Sequence, residues 1–236
     1  MELTSTSRTL AELVIERPHR ARVFEQLGLD YCCGGQSTLA EACAARRLDA
    51  ATVAAMLSAT EAASSIEAGH AGWSTATLSA LCSHIEDVHH AYLRRELPRI
   101  SDLLAKVATA HADELLEWVD VRATFEELRR TLDAHLEDEE ANLFPGCRAA
   151  EQGIPPTEGF ARLLESLEDE HSAVGTALSR LAALTGRYDS TRARCSTHRA
   201  ALHALHELEV DLHEHVHEEN NVLFPRVLRI VNEPHV

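Results

Sequence analysis

The chain has 236 residues, 45% apolar and only 4% aromatic, with 10 Gly and 7 Pro, so its core must be built mostly from Leu, Ala and Val, a composition that favours helices over sheets. Acidic residues outnumber basic ones 38 to 22, and the formal charge of −16 argues against nucleic acid or an anionic membrane as a partner and leaves bound cations as a natural counterweight. No basic leader precedes an apolar run at the N-terminus, and no stretch approaches the about 18 apolar residues of a membrane span, so a cytoplasmic protein is expected.

From residue 8 to 62 the chain reads as short helices punctuated by turns: TLAELVIE, a segment opened by Pro18 and ended by Gly28, then the loop LDYCCGGQS, with Thr38 and Asp49 as N-caps of two more helices. The six cysteines, Cys32, Cys33, Cys43, Cys82, Cys147 and Cys195, read as thiols rather than as a disulfide framework. A small helical N-terminal domain over 1–62 and a polar linker over 63–74 are expected.

Four long helical patterns follow, at about 75–109, 113–149, 158–185 and 191–231, separated by EQGIPPTEG, TGRYDS and a vaguer break near His111 and Asp113. Amphipathic helices with short joins predict an all-α, antiparallel four-helix bundle over 75–232. Within it one motif is written twice, 80 residues apart: HLEDEEANLFP from His135 to Pro145 and HVHEENNVLFP from His215 to Pro225. Phe125, Leu128, Leu132, His135, Glu139 and Leu143 share one helical face, and Leu205, Leu208, Leu212, His215, Glu219 and Leu223 repeat it, so both His-x-x-x-Glu pairs point into the core.

An ionised Glu and an imidazole on an apolar stripe are costly to bury unless something pairs them, and two such pairs facing one core call for a metal pair. The third helix adds His171 between Leu167 and Val174, and the first offers His84, His89 and His90, among which periodicity does not choose. His89 is nearest the centre of the stripe Leu78, Leu81, Ile85, Val88 and Tyr92. Carboxylates able to bridge, imidazoles as terminal ligands and no thiolate on the face suit two iron ions, with manganese or zinc as alternatives. A ferritin-like reading through Glu86-x-x-His89 and Glu168-x-x-His171 is weaker, because it leaves His135 and His215 without a role.

Residues 75–231 resemble hemerythrin-like di-iron proteins. The combination of DYCCGG at 30–35 with such a bundle and its twice-written HxxxE motif resembles, over nearly the whole chain, the iron–sulfur cluster repair di-iron family, the repair-of-iron-centres proteins. That resemblance implies His84, His135, His171 and His215 as terminal ligands and Glu139 and Glu219 as bridges between two irons. It leaves Glu140 and Glu218 as neighbours. Oxygen-carrying hemerythrins are less similar: their third helix has a second His where this chain has Gly175, and their fourth an Asp where it has Asn220. One imidazole fewer suits an exchangeable site.

The resemblance implies a stress-response protein that helps restore iron–sulfur clusters damaged by nitric oxide or oxidants, by iron donation through Cys32 and Cys33 as a thiol relay. A nitric oxide reductase forming nitrous oxide, and an oxygen or nitric oxide sensor, are the alternatives. The implied partners are damaged iron–sulfur proteins or a cluster-assembly scaffold, with nitric oxide or oxygen as the small ligand. Whether the chain pairs as a homodimer is left open.

Overall fold

The structure, a computed structural model, describes residues 5–63, 73, 75–113 and 115–232. Of the expected linker only Ala63 and Trp73 lie among them. Every regular element among the described residues is a helix, and one isolated antiparallel bridge joins Thr9 to Thr38. No helix among the described residues is long and apolar enough to cross a membrane. The chain divides into two compact units, residues 1–81 with 213–236, and residues 82–212.

The first unit opens with α1 (Leu10–Glu16), a 3-10 turn (Pro18–Arg20), α2 (Ala21–Leu27), α3 (Leu39–Ala45) and α4 (Ala50–Ala63). Local chemistry sets their ends. Thr9 and Thr38 each cap a helix by accepting an N–H from the Glu three residues on, while that Glu reaches back to the threonine's own N–H. Asp49 caps α4 from one side only, its Oδ2 accepting from Thr52 N–H at 2.8 Å. Gly28 ends α2 in the left-handed region at φ +64°, which a side chain would resist. Leu10, Leu13, Phe24, Leu39, Cys43 and Leu57 are the centre of this unit's core.

In the second unit α6 (Ala91–Ala110), α7 (Trp118–Asp138), α9 (Phe160–Leu184) and the part of α10 (Ser196–Glu218) up to Leu212 supply one core. Leu97, Ile100 and Leu104 face Phe125, Leu128 and Leu132 there, together with Leu178, Leu181, Leu205 and Leu208. Each such side chain contributes roughly 1.5–3 kcal/mol by leaving water. The result is the all-α helical bundle that the four amphipathic patterns predict.

Among the described residues, three helices are not uniformly α. Between α5 (Leu78–Ile85) and α6 the backbone widens into a π turn at Glu86–His90, between α7 and α8 (Phe144–Glu151) at Glu139–Leu143, and between α10 and α11 (Phe224–Asn232) at Glu219–Leu223. Each closes with an N–H to the carbonyl five residues back: Ala91 to Glu86, Phe144 to Glu139 and Phe224 to Glu219. A proline ring presses on the carbonyl four residues earlier, and the wider turns just before Pro145 and Pro225 ease that clash.

The wider turn also changes phase. Val88, expected on the inward stripe of the first helix, is 45% exposed, whereas His89 and His90 are both buried. A constant 3.6-residue period does not hold across Glu86–His90, and the stripe turns with it.

Candidate metal centre

Within the second unit, Glu139 is fully buried at the point where α7 widens, and imidazoles converge on it. His135, one turn earlier, brings Nε2 to 3.2 Å from Oε1, and His90 brings Nε2 to 3.3 Å from Oε2. His171, from the middle of α9, stands with Nε2 3.0 Å from that of His135, the rings edge-on. His90, His135 and His171 are all essentially without solvent contact.

Carboxylates fix two of these rings from behind. His90 Nδ1 lies 2.8 Å from Glu140 Oε1, and Glu140 is also bonded by Arg94 at 2.8 Å. The Arg94 guanidinium, and after it His90, hold the Glu140 carboxyl below the usual range. His135 Nδ1 lies 2.8 Å from Glu170 Oε2. A carboxylate only accepts, so Nδ1 is the N–H side of both rings and a neutral ring turns an Nε2 lone pair toward Glu139. Lone pairs facing carboxylate oxygens at 3.2–3.3 Å repel unless positive charge stands among them. The donor set, one carboxylate with three imidazoles and no sulfur, fits a divalent transition metal.

His84 sits differently. It is half-buried, and its ring stands edge-on to that of His89, 5.7 Å between centroids. His89 in turn is bonded through Nδ1 to Asp211 at 3.0 Å. Of the three histidines on the first helix, the π turn at Glu86–His90 therefore presents His90 to Glu139, and the position implied by the resemblance, His84, lies outside that group.

In the first unit the second motif repeats the pair: His215 Nε2 is 3.2 Å from Glu219 Oε1, and both are buried. The residues around this pair hold the CCGG loop. His217 Nδ1 donates to the Tyr31 carbonyl at 3.2 Å, and the Asn221 amide donates to the Cys32 carbonyl at 2.9 Å. Burial pulls the His217 pKa down to about 4, so the ring is neutral at pH 7. Gly35 is required by the loop's fold, since a Cβ there would come within 2.5 Å of the Tyr31 carbonyl oxygen.

At the loop's tip Asp30 Oδ1 accepts the N–H groups of Cys32 and Cys33 at 3.2 and 3.0 Å and the Cys32 S–H at 3.3 Å. The two sulfurs are 3.9 Å apart, and Asp30, Cys32 and Cys33 each offer a ligand atom within 4.8 Å of the others. The adjacent Cys33 sulfur, then burial, push the Cys32 thiol well above its ordinary range, with the Asp30 carboxylate adding to the effect. At rest this thiol is protonated. Cys33 is exposed.

A buried carboxylate ringed by imidazoles inside an all-α bundle defines a histidine–carboxylate cation-binding protein. The chain belongs to the hemerythrin HHE cation binding domain family, which its residues 82–227 match, while residues 6–61 match ScdA_N, a domain of unknown function. It is 35% identical over 229 residues to the iron-sulfur cluster repair protein YtfE of Edwardsiella ictaluri, covering 96% of this chain and 99% of the relative. It is 33% identical to the protein of the same name from Escherichia coli O157:H7 (93% and 96% covered), and 28% identical to the iron-sulfur cluster repair protein ScdA of Staphylococcus haemolyticus (91% and 95% covered).

Several residues of these sites carry no signal in the sequence. Glu170 is one of many acidic residues on α9, and Asn221 and Tyr31 meet only through the tertiary fold. Glu140 had a weak one, as the second acid of the Glu139-Glu140 pair.

Proposed function

We propose that this chain is a di-iron protein that takes part in the repair of iron–sulfur clusters damaged by nitrosative or oxidative stress, acting by iron donation. Six residues would hold the iron pair: His90, His135, His171 and His215 as terminal ligands, Glu139 and Glu219 as bridges. His90 takes the place of His84 because its Nε2 is the one beside Glu139. The observation that carries the reading is that convergence of three imidazoles on a buried carboxylate, in a chain matching cluster-repair proteins over 96% of its length.

When bound, the iron pair supplies exchangeable ferrous ions. The chain's own part is to orient and to release. Glu140 and Glu170 keep the Nδ1 protons of His90 and His135 turned away, so that Nε2 remains the ligand atom. Gly175, one turn beyond His171, adds no imidazole and leaves room for exchange. Asp30, Cys32 and Cys33 form a mixed oxygen and sulfur set suited to receive departing iron, and their loop is held by His217 and Asn221, which flank Glu219 in the chain. The N-terminal domain of 1–62 and the bundle of 75–232 would thus be relay and store, working in the cytoplasm on damaged iron–sulfur proteins or an assembly scaffold.

Metal analysis and Mössbauer spectroscopy of anaerobically purified protein test the ligand set, with two irons per chain expected. Incubation with a nitric-oxide-damaged iron–sulfur enzyme tests donation, with stoichiometric transfer of iron and recovery of that enzyme expected. One zinc per chain, or recovery without iron loss, overturns the reading.

A further inference from the structure

The iron ligands leave a pocket of the first unit unaccounted for. Its volume is about 110 Å³, and Val14 and Ile15 of α1, Pro18 of the turn after it and Val222 form its apolar wall. Tyr31 and Trp73 add two aromatic rings. Glu214, His217 and Glu218 line it from the end of α10, so its polar side is rich in acceptors. All these residues belong to the one compact unit of 1–81 with 213–236.

Two of these groups have hydrogen-bonding capacity that the fold leaves unfilled. Tyr31 is 2% exposed, and its hydroxyl stands near the Glu25 carboxylate, yet no described residue completes a normal hydrogen bond to it. His217 is 5% exposed, with its ring edge-on to Tyr31 at 5.4 Å between centroids. Its Nδ1 donates to the Tyr31 carbonyl, so Nε2 carries a lone pair, and no described residue donates to that lone pair. Charge points the same way. Arg22, the one guanidinium among the described lining residues, is exposed, as is Glu214, so water screens both and they offset each other. The buried Glu218 carboxylate keeps its field. A lone pair, a carboxylate, a phenol oxygen and two aromatic rings all call for a ligand that donates and is positive. A cavity of about 150 Å³ takes benzene, so this one suits about four or five heavy atoms.

We propose that this pocket is a binding site for a primary ammonium carried on a short alkyl chain. The N–H groups of the ammonium meet the Glu218 carboxylate and the His217 Nε2 lone pair, and its charge lies beside the Tyr31 and Trp73 rings. The alkyl chain packs on Val14, Ile15 and Val222. A free amine and a lysine side chain share this chemistry. Because His217 also holds the Tyr31 carbonyl, an occupant leans on a side chain that fixes the CCGG loop. None of the lining residues is a proposed iron ligand, so the site stands independently of the donation reading.

The test is isothermal titration calorimetry on the full-length, iron-loaded protein in about 0.5 M NaCl, where attraction to the acidic surface at large is screened. The n-butylammonium ion should bind one to one and roughly ten times or more tighter than 1-butanol, its neutral counterpart. Glu218→Gln should weaken n-butylammonium about tenfold and leave 1-butanol unchanged, with iron content checked because Glu219 is adjacent. Ile15→Trp, which fills the pocket from a half-buried position on α1, should abolish binding of both while helical circular dichroism and iron content are retained. That variant carries the test alone if Glu218→Gln loses iron. Binding of Nα-acetyl-lysine amide as tight as that of n-butylammonium identifies a lysine side chain as the source, and weaker binding identifies a free amine. Binding of n-butylammonium no tighter than that of 1-butanol overturns the proposal, as does unchanged affinity in Ile15→Trp or in an iron-loaded Glu218→Gln.

Discussion

The two copies of the repeated motif agree on their inner face and differ on their outer one. In both, His Nε2 stands 3.2 Å from Glu Oε1, and the helix widens at the Glu so that the Phe five residues on bonds to its carbonyl. Outside, the first copy is open: Glu137, Ala141 and Asn142 are exposed. The corresponding His217 and Val222 of the second copy are buried, as is Glu218, and Asn221, which answers to Ala141, bonds to the Cys32 carbonyl. The repeat therefore preserves what faces the core, where each copy buries its His–Glu pair. It leaves the other side free to specialise, with solvent against one copy and the CCGG loop against the other.

Breaking the shared face should have the largest effect, and the same one in each copy. His135→Ala and His215→Ala should each lose iron by elemental analysis, with helical circular dichroism retained because the apolar stripe remains. Full occupancy in either variant would show that the copies are not equivalent. Replacing Cys32 and Cys33 with Ser probes the specialised side: the iron spectrum should stay intact while transfer to a damaged iron–sulfur enzyme is lost. Wild-type transfer rates in that variant would reduce CCGG to a structural turn.

A smaller effect lies in His217. Its folded pKa of about 4 is below the ordinary 6.5, so the unfolded chain binds a proton that the folded one refuses, and stability falls as pH drops from about 6.5 toward 4. Between pH 7.5 and 5.5 the iron-free wild type should lose about 1.4 kcal/mol more than His217→Gln, measured by urea denaturation. An identical pH dependence would show that the ring is not the group concerned. Smallest is Asn221→Ala, which gives the second copy the residue of the first. Losing one hydrogen bond should cost about 1 kcal/mol and speed alkylation of Cys32, with iron content unchanged.

Much of this was readable from residue order alone. The inward faces from Phe125 to Leu143 and from Leu205 to Leu223 are buried at every named position, and Thr9, Thr38 and Asp49 cap helices as their residue types suggest. Which histidine of the first helix meets Glu139 was not readable, because the choice among His84, His89 and His90 depends on a change of helical pitch that no periodic count anticipates. The pocket beside Tyr31 was hidden for another reason. Its walls join residues near each end of the chain, which no local pattern brings together.

The π turns also set which edits of the gene the protein can survive. Each one makes the helix beyond it behave as though a single letter had been added to an otherwise regular text. Removing one residue between Glu139 and Leu143 would restore ordinary spelling and rotate everything downstream by about 100°. Phe144 and Cys147, now completely buried, would swing away from the core. These three five-residue stretches should accept changes of identity far more readily than any change of length, and relatives of different overall size should take up their insertions elsewhere.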